Sequence, residues 1–258
     1  MEKIGVDFSN NDIIFETKNP LSNLLVKNLS IIILPARTFL FGFIQILFVY
    51  LLGFSWKESI AWWPFYAIIT NIIMFYVLYF LTKREGKSYL DIINFDKKHI
   101  NLDFKRILWV LPIGAGLGLA GMSFVSFIMY GSPALPDNMI LPLPFWAGII
   151  AFIFFPITNT LVEVPTYMGY CFPRIEKMLK SKVFALVLSA FFLAFQHFTL
   201  PIFINDLKYM SWHFLCFIPL SLIVGLIYIK IRNLVSIMIV HWLLDVLVVL
   251  GVFILSIS

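Results

Sequence analysis

Charge is what this chain has least of. Of its 258 residues only 13% are Asp, Glu, Lys or Arg, about half the share of an ordinary soluble domain. With 61% hydrophobic content and a mean hydropathy of +0.94, such a chain is neither disordered nor able to hide its apolar surface in a water-soluble core of this size. Cysteine is nearly absent. Cys171 and Cys216 both fall in or beside apolar runs, which points to packing rather than to a disulfide or metal framework. Residues 1–28 mix charged and polar side chains without a compact apolar stretch and cleavage site, so no cleavable signal peptide is expected. The net charge of +5 is no nucleic-acid signal either, because basic residues in a membrane chain ordinarily mark its cytoplasmic side.

What the chain does have is apolar runs of bilayer length. Seven occur, near 30–53, 59–82, 107–130, 145–169, 183–200, 211–229 and 233–256, and each is near the twenty residues a membrane helix needs. The expected fold is therefore an all-α polytopic membrane protein. With the N-terminus in the cytoplasm, segments 1–29, 83–106, 170–182 and 230–232 hold sixteen of the nineteen Lys and Arg. The outer loops then hold only Lys57 and Lys208, a strong positive-inside bias that places the C-terminus outside. The organisation read from this is a cytoplasmic N-terminal segment (1–29), a first group of membrane helices (30–144), a C-terminal membrane core (145–250) and a short end (251–258). Within the first group, loop 83–106 alternates charge with Tyr89, Ile92, Ile93, Phe95 and Leu102, which fits an amphipathic segment at the inner surface and a solvated connector equally well.

Polar groups inside these spans are expensive, about 2.5–3.5 kcal/mol for a charge at mid-membrane, so each is a functional candidate. Glu163 and Asp245 are the two acidic residues well within spans, and His197 and His241 are the two histidines there. His213 lies near the outer end of the sixth span, where an interfacial role is expected. Arg37 sits about a dozen Å from the inner surface at 1.5 Å per residue and is read as a structural, snorkelling residue. His241 and Asp245 are spaced i,i+4 and share a helix face, which lets the carboxylate orient the imidazole. Asn159 and Tyr167 flank Glu163 at i−4 and i+4, and Pro165 is expected to kink this helix. Depths counted from the basic ends are roughly 10 Å for Glu163 and His241, 18 Å for Asp245 and 20 Å for His197.

Such a set can hydrolyse a peptide bond. Glu163 with His197 would bind a water and act as general base, and His241 with Asp245 would support the oxyanion or protonate the leaving amine. Glu163, His197 and His241 would also serve as a zinc set. However, no H-E-x-x-H occurs and three helices would have to supply the ligands, so chemistry without a cofactor is the expectation. Gly116, Gly118 and Gly121 spell G-x-G-x-x-G inside the third span. With Gly114 they read as small-residue spacing for close helix packing, not as a dinucleotide loop.

Three ordered motifs resemble the CPBP family of CAAX-protease and bacteriocin-processing membrane endopeptidases. Its pattern is Glu-Glu-x-x-x-Arg followed by Gly-Tyr-x-x-Pro-Arg, then Phe-x-x-x-His, then His-x-x-x-Asn or Asp. Here Glu163 to Arg174 reads EVPTYMGYCFPR, LAFQH ends at His197 with Leu193 in place of Phe, and HWLLD spans His241 to Asp245. The resemblance covers roughly 145–250 and implies a helical bundle whose cavity opens to the cytoplasm. It implies that Glu163 and His197 activate water and that His241 and Asp245 complete the site. The implied substrate is a membrane-anchored or lipid-modified peptide, and the implied setting is a bacterial cytoplasmic membrane. Two positions depart, since Val164 stands for the second Glu and Met168 for the Arg. The swap is charge-neutral, so it fits either a compensated, active site or a non-catalytic member that binds another membrane protein as an immunity factor or scaffold. A proton-coupled transporter is a third class open to buried acids and histidines, though no inverted repeat is evident.

Overall fold

The computed structural model describes residues 29–136 and 139–257. Among these there is no strand, and the helices are α1 (Ala36–Leu52), α2 (Trp56–Ala61), α3 (Trp63–Arg84), α4 (Tyr89–Ile93), α5 (Ile100–Tyr130), α6 (Phe145–Val164), α7 (Phe172–Leu179), α8 (Lys182–Phe195), α9 (Leu207–Ile231) and α10 (Val235–Ile257). Six stretches are long and apolar enough to cross a membrane: α3, α5, α6 continuous with α7, α8 with its following turn, α9 and α10. The seventh expected span is the shorter α1, of 17 residues. It is short because a turn at 34–35, carrying Pro35, separates it from the helical stretch 29–33, as expected where a ring replaces a backbone donor. The expected segment 1–29 lies almost wholly outside the described residues.

The lengths of the other helices show what apolar runs alone could not mark. The third span begins at Ile100, well before the expected 107, and the connector expected over 170–182 is mostly helix α7. Both extensions are polar turns added to an apolar helix at the basic end of the bundle, where Lys83, Arg84, Lys177 and Lys230 also lie in the last turns of α3, α7 and α9. Cations at helix C-termini complement the helix dipole there.

The α6 and α10 helices form the most extensive pair, with α5 and α8 packed on α9, α3 on α6, and α1 between α3 and the turn after α8. Gly118 and Gly121 let α5 approach α9: a Cβ added at either would come within 2.9 Å of Leu220 or 2.7 Å of Pro219. Small residues do here what the spacing suggested. Gly114 faces Val240 of α10 more loosely, at 4.0 Å from an added Cβ, and Gly116 faces open space.

Two local features shape the site. Between α6 and α7 the backbone runs as a seven-residue π-helix, Pro165–Cys171, where a simple kink was expected. Pro165 cannot donate to the carbonyl of Leu161, and the Tyr89 hydroxyl donates to that carbonyl instead, at 2.6 Å. The second feature is the 83–106 segment. Ile92 and Ile93 are buried in the bundle core, while Leu90 and Leu102 stay exposed. The segment is fastened to the protein by Asn94 Nδ2 donating to the Arg232 carbonyl at 2.8 Å, Asn233 Nδ2 to the Asn94 carbonyl at 2.8 Å, and the Leu234 amide to the Ile93 carbonyl at 3.1 Å. Below it, Arg174 stacks on Tyr170 at 3.6 Å and pairs with Glu85, both side chains being buried. Cys171 and Cys216 are buried free thiols, in separate apolar clusters.

Candidate active site

The pairing of α6 with α10 brings Glu163, His241 and Asp245 together. Glu163 Oε1 lies 3.4 Å from His241 Nε2, and the same nitrogen lies 3.5 Å from Asp245 Oδ1. The i,i+4 spacing on α10 thus does set carboxylate beside imidazole, with the ring nitrogen shared between two acids. Asn159, one turn before Glu163, donates from Nδ2 to Asp245 Oδ2 at 3.1 Å. The polar face of α6 therefore binds both ends of the α10 motif.

His197 stands outside this hydrogen-bonded cluster. It sits on the 3-10 turn Gln196–Thr199 that closes α8, and no hydrogen bond or ion pair joins it to Glu163. Its Nδ1 lies 3.1 Å from the Ala194 carbonyl. A carbonyl only accepts, so Nδ1 carries the proton and Nε2 is left as an acceptor. The ring lies flat on Phe217, 3.6 Å between centroids and 4° from parallel. His241, not His197, is the imidazole that touches Glu163. The zinc set of Glu163, His197 and His241 is likewise not assembled, and among the described residues no three His, Cys, Asp or Glu are grouped to hold a metal ion. His213, expected at an interface, is buried beside His197 among Tyr209, Trp212 and Phe217.

The largest correction concerns Arg37. It does not snorkel: it is 0% exposed and points into the bundle. Its Nη2 bonds Glu163 Oε2 at 3.2 Å and Asn159 Oδ1 at 3.0 Å, Nη1 bonds Asn71 Oδ1, and Nε bonds Gln196 Oε1. Asn71 in turn donates to Asn159 Oδ1 at 3.3 Å, and the Tyr167 hydroxyl to Gln196 Oε1 at 3.3 Å. A buried carboxylate without a cation is very costly; here the cation comes from α1. Asn71 and Gln196 escaped the sequence reading. The signal for Asn71 was an amide in the middle of an apolar span, a group that hydrocarbon tolerates only when it is bonded.

Glu163, His197, His241 and Asp245 all line one cavity of about 400 Å³ whose remaining wall is almost entirely apolar. Along α9 the lining runs from Tyr209 to Ile227, roughly 27 Å at 1.5 Å per residue. The cavity therefore follows most of the length of α9. On α5 its wall is the face carrying Val110, Gly114, Gly118 and Met122.

Fold and site thus define an integral membrane protein with a carboxylate–imidazole cluster on the wall of a largely apolar cavity. Residues 143–247 match the family described as type II CAAX prenyl endopeptidase Rce1-like, a segment that holds all four motif residues. The matched segment comprises α6 to the greater part of α10 and leaves out α1 to α5. No curated protein and no solved structure matches the chain.

Proposed function

We propose that the chain is a CAAX-protease-type intramembrane endopeptidase that cleaves a membrane-anchored or lipid-modified peptide, with Glu163 as general base. The observation that carries this is the Glu163 carboxylate held between the Arg37 guanidinium and the His241 imidazole at the wall of a largely apolar cavity. A water beside Glu163 gives its proton to the carboxylate as its oxygen attacks the peptide carbonyl carbon. The proton then passes to the leaving amine as the carbon–nitrogen bond breaks. His197 Nε2, free to accept, orients the water. His241, with its ring held by Asp245, supports the oxyanion, and its buried Nδ1 has no protein partner. General base catalysis of this kind contributes about 10²–10⁴-fold. The apolar wall suits a lipid-bearing substrate, and the basic end of the bundle is assigned to the cytoplasm.

The test is cleavage of a prenylated CAAX peptide by the full chain reconstituted in vesicles. Wild type is expected to release the C-terminal tripeptide, and Glu163→Gln and His197→Ala to lose at least about 100-fold. Equal rates for wild type and Glu163→Gln would refute the assignment.

A second reading is favoured by one observation. Val164 and Met168, which stand where the family pattern has Glu and Arg, are fully packed in the apolar core. A non-catalytic immunity factor or scaffold is compatible with that pair. Co-purification of a membrane partner, surviving Glu163→Ala with cellular function intact, is the outcome that reading requires.

A further inference from the structure

We propose that Arg37, on a helix outside the family-matched segment, is a positioning residue that aligns the three elements of the site and supplies the cation which the family pattern carries at position 168. The proposal rests on the reading of Glu163 as general base.

The guanidinium is planar, with five donors in a fixed fork, and here every arm is spent on a different part of the site. Nη2 reaches Glu163 on α6 directly. Through Asn159 it reaches Asp245 on α10, because Asn159 accepts from Arg37 and donates to Asp245. The Nε arm binds Gln196, the residue immediately before His197. The Nη1 arm binds Asn71, which braces Asn159 from α3. One rigid group thus sets the relative positions of Glu163, His197 and Asp245.

The helix that carries Arg37 is itself registered on the same turn. Thr199 Oγ1 donates to the Thr38 carbonyl at 2.7 Å, the Ile202 amide donates to Gln45 Oε1 at 2.6 Å, and Gln45 Nε2 donates to the Ile202 carbonyl at 3.1 Å. Two turns of α1 are therefore fastened along 196–202, and a shift of α1 would move His197 with it.

Position 168 provides no charge. Met168 is 0% exposed, and the end of its side chain lies beside Gly225 of α9. Where the family pattern has an ion pair, Val164 and Met168 both belong to the buried apolar core, a replacement that is often neutral or stabilising. Glu163 still needs a cation, and Arg37 is the one bonded to it.

The experiment is a double-mutant cycle on the full chain in lipid nanodiscs, read by unfolding midpoint and by cleavage of the prenylated CAAX peptide. Arg37→Met strands a buried carboxylate and is expected to lower the midpoint by roughly 6–20 °C. Adding Glu163→Gln removes the stranded charge and is expected to recover at least half of that loss. In the cleavage assay Arg37→Met is expected to lower kcat by about 100-fold with KM nearly unchanged, the signature of misplaced groups. Arg37→Lys, which keeps the charge and guards against misfolding, is expected to lose about 10-fold because the fork to Gln196 and Asn71 is gone. Additive midpoint shifts, or wild-type kcat in Arg37→Lys, overturn the proposal. A wild type that leaves the peptide intact sinks the peptidase reading alone, since the stability cycle still decides whether Arg37 and Glu163 are coupled.

Discussion

Two glycine-to-alanine changes should move stability in opposite directions. Gly169 lies in the π-helix beneath α4, and a Cβ there would stand 2.7 Å from the Ile92 carbonyl oxygen and 2.9 Å from Leu234 Cδ1. The leucine methyl can rotate aside. The carbonyl cannot, because α4 and the residues after it are held by Tyr89, the Ile93 carbonyl, Asn94 and Asn233. Overpacking against fixed backbone costs about 1–3 kcal/mol, and the better helix propensity of alanine returns up to about 1 kcal/mol. The expected net loss in Gly169→Ala is about 1–2 kcal/mol, or roughly 2–8 °C in the unfolding midpoint. Gly116 offers the contrast. It is exposed, lies within α5, and an added Cβ meets nothing within 4 Å. Only the propensity gain remains, so Gly116→Ala should raise the midpoint by about 2–4 °C. Tryptophan fluorescence during heating, in one detergent for all three proteins, measures both. A Gly169→Ala protein as stable as wild type would show that α4 is not pressed against the π-helix. Equal losses at both positions would show that the space around Gly116 is filled.

Other consequences can be measured on the same preparations. Glu85→Ala should cost about 3–5 kcal/mol by leaving Arg174 buried without its carboxylate, visible as the largest midpoint shift among changes outside the cavity. Asn159→Leu should cost about 1–3 kcal/mol, because it strands bonding groups of Arg37 and Asp245, and should cut cleavage further than Thr158→Val on the neighbouring position. At the start of α4 the Ser88 backbone amide and hydroxyl hold the Asp91 carboxyl below its ordinary value. A depressed carboxyl stabilises above about pH 4 and loses that contribution as pH falls through its folded value. Ser88→Ala should weaken the helix start by about 1 kcal/mol at neutral pH and flatten the acid-side dependence of stability, as a pH series of unfolding midpoints would reveal.

Burial cost made part of the site legible without coordinates. Glu163, His241 and Asp245 stand out because charge in a membrane span needs a reason, and the i,i+4 geometry of the α10 pair follows from helix periodicity alone. The role of Arg37 was not legible for a related reason. Depth can be counted along a span, but the direction a side chain takes around the helix cannot, since lipid and protein core are both apolar and leave little amphipathic pattern. A short depth therefore looked like a route to the surface when the side chain in fact turns inward. That His197 stacks on Phe217 and does not touch Glu163 directly was not legible either, because its 3-10 turn changes the direction of the chain just before the ring, a bend that no apolar run records. The π-helix was half visible: Pro165 announced a break, while the form it took depends on the Tyr89 hydroxyl arriving from 72 residues earlier in the chain.

The two cysteines have a practical consequence. Each is a free thiol at 0% exposure, and aqueous alkylating reagents need a reachable thiolate. The native chain is thus silent to such reagents while folded, so a cysteine introduced at a chosen depth becomes the single reactive sulfur in the protein. Labelling from one side of a sealed vesicle then maps the sidedness of the bundle, residue by residue, without first stripping out its own sulfur.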